Sequence, residues 1–131
     1  MTIVPAKLHH VSRQTQKLDE TRRFYVDVLG FRELSSRPNF LFRGAWLYGS
    51  GIQIHLIDEP FDGSAGKPPN PQENHIAFLI EDLDAAEETL KHHGIGYLRQ
   101  KSRDGKSEQI FFRDPEGWMV ELGNYLAPMD V

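Results

Sequence analysis

The sequence predicts an α+β fold built from two βαβββ modules. Each half of the 131-residue chain carries a strand-like segment, an amphipathic helix and three further strand-like segments in the same order. Between the halves, residues 58–74 hold four of the eight prolines and are typical of a loop or linker. We therefore predict a single domain over residues 1–131, made of module 1 (about residues 7–57), this linker and module 2 (about residues 75–125).

The first half begins with a strand predicted at residues 8–13. A helix is expected over residues 19–30, because Asp19 can cap its first turn and Gly30 can end it. Turn residues such as Pro-Asn and Gly-Ser-Gly then separate three strand-like segments. These segments are residues 31–35, 40–48 and 52–57.

The second half repeats this order after the linker. Residues 74–80 resemble a strand, and residues 82–94 are expected to form a helix. Asp84 and Glu87 have the spacing of a capping box at the start of this helix. Three more strands are predicted, at residues 95–100, 108–113 and 118–123.

Matched spacings indicate that the two halves are copies of one module. His10 precedes a Leu-Asp dipeptide by eight residues, and His75 precedes the same dipeptide by the same interval. The interval from His10 to His55 is 45 residues, and the interval from His75 to Glu121 is 46. An internal repeat of this kind constrains the fold more strongly than local propensity does.

Strand alternation points to a metal site. In four of the predicted strands the large apolar residues share one face, which the module's helix can cover, and an ionisable residue lies on the other face. The four ionisable residues are His10, His55, His75 and Glu121. A single buried histidine is more often structural, but imidazoles and a carboxylate in repeat-equivalent positions suit a divalent metal. Zinc, nickel, iron, manganese and cobalt all remain open.

Other candidate residues have weaker indications. His9 is expected to be a packed or partly exposed neighbour of His10, whereas His92 and His93 end the second helix and complement its dipole. Aromatic or soft side chains between the metal candidates could line a pocket, although core packing is their commoner role. These are Trp46, Tyr48, Gln53, Phe112 and Met119. Arginines that could meet an anionic substrate, or be solvated, are Arg37, Arg43 and Arg113.

Composition excludes several other classes of function. The net charge is −4 and no basic cluster appears, so neither nucleic acid nor an anionic membrane is an expected partner. The absence of cysteine excludes disulfides, thiolate metal sites and a cysteine nucleophile. No signal peptide and no apolar run of about 20 residues is visible, so we expect a soluble, cytoplasmic protein.

Three stretches of the sequence resemble a known family. LHHV…LDETRRFYVDVLGF, NHIAFLIEDLDAAEETLKHHGI and FFRDPEGWMVELGN are similar to the vicinal oxygen chelate superfamily, and the likeness spans about residues 7–125. That superfamily includes glyoxalase I, methylmalonyl-CoA epimerase, extradiol dioxygenases, and fosfomycin- and bleomycin-resistance proteins. The chain most resembles its small glyoxalase-I-like members. The shared motifs are specific to the superfamily but not to one reaction.

The resemblance implies that the modules form a cupped, mostly antiparallel sheet with the helices on its outer face. It places the metal ligands at His10, His55, His75 and Glu121. It also implies a lyase or isomerase that acts on a small carbonyl compound or its thiol adduct, with the metal as a Lewis acid that stabilises an enolate or oxyanion. By the same resemblance Glu121 is both a ligand and the catalytic base.

One departure from the family pattern leaves alternatives open. Glyoxalase I usually has a glutamate where this chain has His55. An Fe(II) extradiol-type dioxygenase would use His10, His75 and Glu121, whereas a resistance protein would bind a small molecule without catalysis. We expect a homodimer, in which the modules pair within one chain or swap between chains.

Overall fold

The computed structural model describes residues 1–61 and 63–125. The chain divides into two compact units, Met1–Asp62 and Gly63–Val131, and the division falls inside the predicted linker 58–74. Within these described residues, each unit contains one α-helix and one four-stranded sheet. The predicted α+β class and the βαβββ order of both modules are therefore confirmed. No helix among the described residues is long and apolar enough to cross a membrane.

The elements of the first unit are β1 (His10–Gln14), α1 (Leu18–Asp27), β2 (Arg32–Glu33), β3 (Gly44–Gly49) and β4 (Ile52–Ile57). The strand order in its sheet is β1-β4-β3-β2. Strand β1 runs parallel to β4, and the other two pairs are antiparallel. Helix α1 packs on β3 and β4, where Tyr25, Leu47 and Ile54 are almost completely buried.

The elements of the second unit are β5 (His75–Leu79), α2 (Leu83–His92), β6 (Tyr97–Lys101), β7 (Glu108–Arg113) and β8 (Met119–Asn124). This unit has the same topology as the first, with the order β5-β8-β7-β6 and one parallel pair, β5 with β8. Helix α2 packs on β7 and β8, and Leu90, Ile110 and Val120 form the centre of this core.

The residues that cap the two helices at their N-termini differ from the predicted ones. Helix α1 begins before Asp19, and its N-cap residue, Lys17, makes no capping hydrogen bond through its side chain. The Thr15 hydroxyl instead accepts the Lys17 backbone N–H at 3.0 Å and contacts the Thr21 hydroxyl at 3.0 Å. In α2 the cap is Asp82, which accepts from Ala85 N at 3.0 Å, so the predicted Asp84–Glu87 capping box was wrong.

The predicted strand at residues 40–48 is also shorter than expected. Residues 40–43 lie outside β3, because the Arg37 guanidinium folds them into a loop. Arg37 Nη2 donates to the Phe42 carbonyl oxygen at 2.8 Å. Arg37 Cζ, the central carbon of the guanidinium, lies 5.1 Å from the ring centre of Phe40 and 5.2 Å from that of Phe42. Apolar residues in this segment therefore pack on an arginine instead of continuing the sheet.

Candidate metal-binding site

The strand register of the first unit places two candidate histidines on one sheet face. Strand β1 pairs His10 with Gln53, and strand β3 pairs Trp46 with His55. Since Gln53 and His55 are two residues apart in β4, all four side chains lie on the face opposite α1. Residues at the neighbouring positions, such as Ile54 and Leu56, face the helix.

His55 lies between two other rings on this face. The ring centre of His10 is 4.0 Å away and that of Trp46 is 4.2 Å away, and both rings are nearly parallel to that of His55. His55 is only 8% exposed. Its burial, together with the nearby His10, His9 and Arg37, lowers the pKa of His55 to about 4. The imidazole is therefore neutral at neutral pH, which is the form that binds metals.

Hydrogen bonds fix the orientation of these histidines. His55 Nε2 lies 2.8 Å from Gln53 Oε1, and an amide oxygen only accepts, so Nε2 donates and Nδ1 keeps the lone pair. His9 Nδ1 lies 2.9 Å from His10 Nδ1, so His9 belongs to the same cluster. Gln53 is one of the residues predicted from the sequence to lie between the metal candidates, whereas its hydrogen bond to His55 was not predicted. His9 precedes the first residue of β1, so alternation carries no information about it.

The second unit places its two candidates in direct contact. Strand β8 pairs Glu121 with Ala77 of β5 and with Phe111 of β7, and it pairs Met119 with His75. These residues therefore share the face opposite α2. His75 Nε2 lies 3.3 Å from Glu121 Oε1. The Phe111 ring stands perpendicular to the His75 ring, with the ring centres 5.7 Å apart.

The Phe111 ring contacts His75 of this pair, and the adjacent Phe112 does not lie on the same face. In β7 successive side chains alternate between the two faces of the sheet. Phe112 pairs with Val120, is fully buried, and lies on the helix side of the sheet. Phe112 therefore has the core-packing role that was given above as the commoner one. Phe111 was not singled out from the sequence, because local composition does not distinguish two adjacent phenylalanines.

The backbone sets the protonation of His75. Its Nδ1 lies 2.7 Å from the Glu73 carbonyl oxygen, which only accepts, so Nδ1 carries the proton. In the neutral imidazole, Nε2 then presents a lone pair toward Glu121. The Glu121 side chain is buried, and this burial raises its pKa above the usual range, an effect that the nearby His75 partly offsets.

These residues fit a metal to different degrees. Two ligand atoms each about 2.1 Å from an ion, at angles of about 90–110°, are about 3.0–3.4 Å apart, so the 3.3 Å between His75 Nε2 and Glu121 Oε1 fits such an ion. The His75 Nδ1–H bond to a carbonyl is also the usual outer-shell support of a histidine ligand. His10 and His55 have suitable donors, but their rings are stacked 4.0 Å apart, so the in-plane lone pairs of the two rings lie in nearly parallel planes. Across residues 1–61 and 63–125, no group of three or more His, Cys, Asp or Glu side chains is arranged to hold a metal.

Comparison with known proteins identifies the family. Residues 7–122 match the Glyoxalase/Bleomycin resistance protein/Dioxygenase superfamily. The chain belongs to this superfamily, which is the one that the sequence motifs resemble.

Relatives of this chain in the superfamily carry the names of different activities. Glyoxylase I 4 of Arabidopsis thaliana is 40% identical over 121 residues, covering 89% of this chain and 70% of that protein. A probable lactoylglutathione lyase of Vibrio cholerae is 28% identical, covering 88% of each chain. The fosfomycin resistance protein FosX of Listeria monocytogenes, solved with Mn(II) and a dihydroxypropylphosphonic acid, has the same fold. Its TM-score is 0.77 at 22% identity, over 93% of this chain and 94% of that one.

Proposed function

We propose that this protein is a divalent-metal-dependent, glyoxalase-I-like lyase or isomerase that acts on a small carbonyl compound or its thiol adduct. The observation that carries the proposal is the pair His75 and Glu121, whose donor atoms are 3.3 Å apart and whose imidazole is held in the metal-binding tautomer by the Glu73 carbonyl. The Arabidopsis relative and the lactoylglutathione lyases support the reaction class by their names.

The ligands predicted from the sequence are His10, His55, His75 and Glu121, and of these His75 and Glu121 have the donor spacing that suits an ion. When bound, it would polarise an oxygen of the substrate as a Lewis acid does. The protein's own contribution is proton transfer at the carbon next to the carbonyl. Glu121 suits this role because its carboxylate is buried and burial raises its pKa toward the working pH. The Phe111 ring packs against His75, and Phe111 is the residue paired with Glu121 across β7 and β8.

His55 favours a negatively charged substrate. Glyoxalase I usually has a glutamate at this position, as noted above, and an imidazole that is neutral at neutral pH leaves the site one charge more positive. A thiol adduct that carries carboxylates meets this requirement. An uncharged carbonyl compound gains nothing from the added positive charge, so we propose the adduct as the better substrate.

Metal content and turnover test the proposal together. Elemental analysis of protein purified without added metal comes first, followed by turnover of the methylglyoxal–glutathione hemithioacetal. Because the carboxylate is assigned as general base, Glu121→Gln should lower kcat by about 10²–10⁴-fold. His75→Ala should lose metal as well as activity. Matched controls are Glu20→Gln and His92→Ala, which change exposed residues of the same types. Full metal content and full turnover in Glu121→Gln would disprove the assignment.

One observation favours a second candidate, an extradiol-type dioxygenase. Gln53 holds His55 Nε2 at 2.8 Å, and this leaves His10, His75 and Glu121 as a set of two histidines and one carboxylate. This candidate predicts ring cleavage of a catechol by Fe(II)-loaded protein and retention of metal by His55→Ala. The lyase proposal predicts no catechol cleavage and weaker metal binding in that variant. Bound metal without turnover of either substrate would favour a binding or resistance role.

A further inference from the structure

Arg113, at the end of β7, is the most extensively bonded cation of the second unit. Its side chain is only 8% exposed. The guanidinium donates to the Glu73 carboxylate through Nη1 at 2.5 Å and through Nη2 at 3.2 Å. It also donates to the backbone carbonyls of Lys67, Pro68 and Gly117, at 3.0–3.3 Å. We call Arg113 with these acceptors the Arg113 clamp. The sequence prediction of a solvated Arg113 was wrong, because the side chain is buried against these acceptors.

The clamp lies in the same row of the sheet as a proposed metal ligand. Arg113 pairs with Met119 across β7 and β8, and Met119 pairs with His75 across β8 and β5. All three side chains lie on the face opposite α2. Met119 is 1% exposed. Glu73, two residues before His75, reaches over this row and ties the start of β5 to the end of β7.

Glu73 accepts hydrogen bonds at two separate groups, its side-chain carboxylate and its backbone carbonyl. Its carboxylate accepts the bidentate ion pair from Arg113, while its backbone carbonyl accepts the Nδ1–H of His75 at 2.7 Å. The ion pair fixes the Glu73 side chain and the Cα atom from which the carbonyl extends, so the carbonyl has less freedom to turn away from His75. A bidentate guanidinium–carboxylate pair restricts orientation as well as position, which a single lysine bond does not.

We propose that Arg113 is a positioning residue for the metal site: through Glu73 it holds His75 in the tautomer that presents Nε2 toward Glu121. The role of Arg113 in metal binding rests on the proposed function, whereas its role in fixing the His75 tautomer does not. An imidazole without this support can protonate either nitrogen and can rotate about its side-chain bonds. Loss of such an outer-shell partner typically lowers metal affinity by about 10–100-fold.

The test uses three variants of the full-length protein and one matched control. Arg113→Met removes the charge and keeps the length, Arg113→Lys keeps the charge without the fork, and Glu73→Gln keeps the backbone carbonyl without the ion pair. The control is Arg99→Met. Arg99 also makes a bidentate ion pair, with Glu108 at 3.0 Å, but it lies on β6 and does not contact β5 through any of the bonds it makes.

The first readout is the His75 tautomer in metal-free protein, from two-bond ¹H–¹⁵N NMR at a pH above the titration range of imidazole. We expect wild type and Arg99→Met to show Nδ1 protonated and Nε2 unprotonated. Arg113→Met and Glu73→Gln should show a mixture of tautomers, with Arg113→Lys between them and wild type. The second readout is Zn²⁺ affinity by chelator competition, with an expected loss of about 10–100-fold in Arg113→Met and Glu73→Gln.

The two readouts separate the possible failures. An unchanged His75 tautomer in folded Arg113→Met and Glu73→Gln would overturn the inference, whatever happens to metal binding. If Arg99→Met disturbs the tautomer as much as Arg113→Met does, the effect is general loss of stability and the inference is also overturned. If wild type binds no metal while the tautomer shifts as expected, the positioning role of Arg113 stands and the proposed function fails.

Discussion

A single buried carboxylate determines the turn that precedes β8. Asp114 is 3% exposed, and its Oδ1 accepts the backbone N–H groups of Glu116, Gly117 and Trp118 at 2.9–3.0 Å. This turn sets where β8 begins and therefore where Glu121 lies in the strand. Asp104 is the exposed counterpart in the turn before β7, and its Oδ1 accepts from Ser102 Oγ and Lys106 N.

We expect Asp114→Ala to lower the free energy of unfolding by about 2–4 kcal/mol, because buried N–H groups lose a charged acceptor. Asp104→Ala should cost no more than about 1 kcal/mol, since water replaces the lost acceptor at an exposed turn. Urea unfolding of both variants against wild type measures the difference. Equal costs for the two substitutions would contradict the role given to burial.

At the residue scale, the sequence predicts which side chains share a sheet face but not what they bond to. His10 and His55, and separately His75 and Glu121, could be assigned to common faces because alternation depends only on position. The Gln53 bond to His55 and the stacking of Trp46 depend on side-chain rotamers. The Glu73 carbonyl is a backbone group, so no residue type marks it in advance.

At the scale of the elements, strand bounds were predicted best where the apolar pattern was clear and turn residues marked both ends of the strand. Strands β4 and β7 have the predicted bounds, residues 52–57 and 108–113, because turn residues flank alternating or continuous apolar runs. Helix α1 was placed one residue late, since a pair of threonine hydroxyls replaces the expected cap. Strand β2 has only two residues, Arg32 and Glu33, because its pairing with β3 is confined to them.

An ion-pair network ties α2 to β6 and β7, and it predicts a dependence of stability on pH. The Arg99 guanidinium donates twice to Glu108 at 3.0 Å and once to Glu87 at 3.1 Å. The bond from Arg99 lowers the pKa of Glu108 below its usual 4.5. The unfolded state therefore binds more protons than the folded state in acid, and the stabilisation present above pH 4.5 is lost as the pH falls through the folded pKa.

Glu108→Gln should consequently be less stable than wild type at neutral pH, and its stability should fall less steeply as the pH drops below 4.5. Chemical denaturation across an acidic pH series measures both quantities. Glu20→Gln, at an exposed position of α1, is the control and should follow the wild-type slope. Parallel curves for Glu108→Gln and wild type would show that this ion pair does not contribute.

At the scale of the whole molecule, the repeat is the strongest feature of the sequence and of the structure. The two units have the same order of elements and the same sheet order, and each carries one pair of candidate ligands on the face opposite its helix. The pairs differ in organisation, because His75 and Glu121 face each other through their donor atoms while His10 and His55 stack through their rings. Repetition was visible in the spacing of the residues, whereas this difference follows from local bonding.

At this scale we predict that two copies of the chain associate. Phe40, Leu41 and Phe42 form an exposed apolar segment, with side chains 41%, 109% and 44% exposed. Such a patch next to the sheet favours burial against a second copy of the chain. Light scattering after size exclusion should give twice the 15.1 kDa mass of one chain. Leu41→Lys should shift the mass toward one chain, whereas Val4→Lys, at another exposed apolar position, should not. A wild-type monomer at all concentrations would contradict the prediction.

The Arg113 clamp has a practical consequence for protein engineering. The proline-rich segment before β5 looks like an interchangeable tether, but two of its carbonyls and Glu73 are anchored on one guanidinium. Shortening this segment, opening new termini in it or inserting a fluorescent tag there would release the strand that carries His75. The exposed turn at Asp104 and Gly105 is the better place for an insertion, because its bonds are local and none reaches the candidate site.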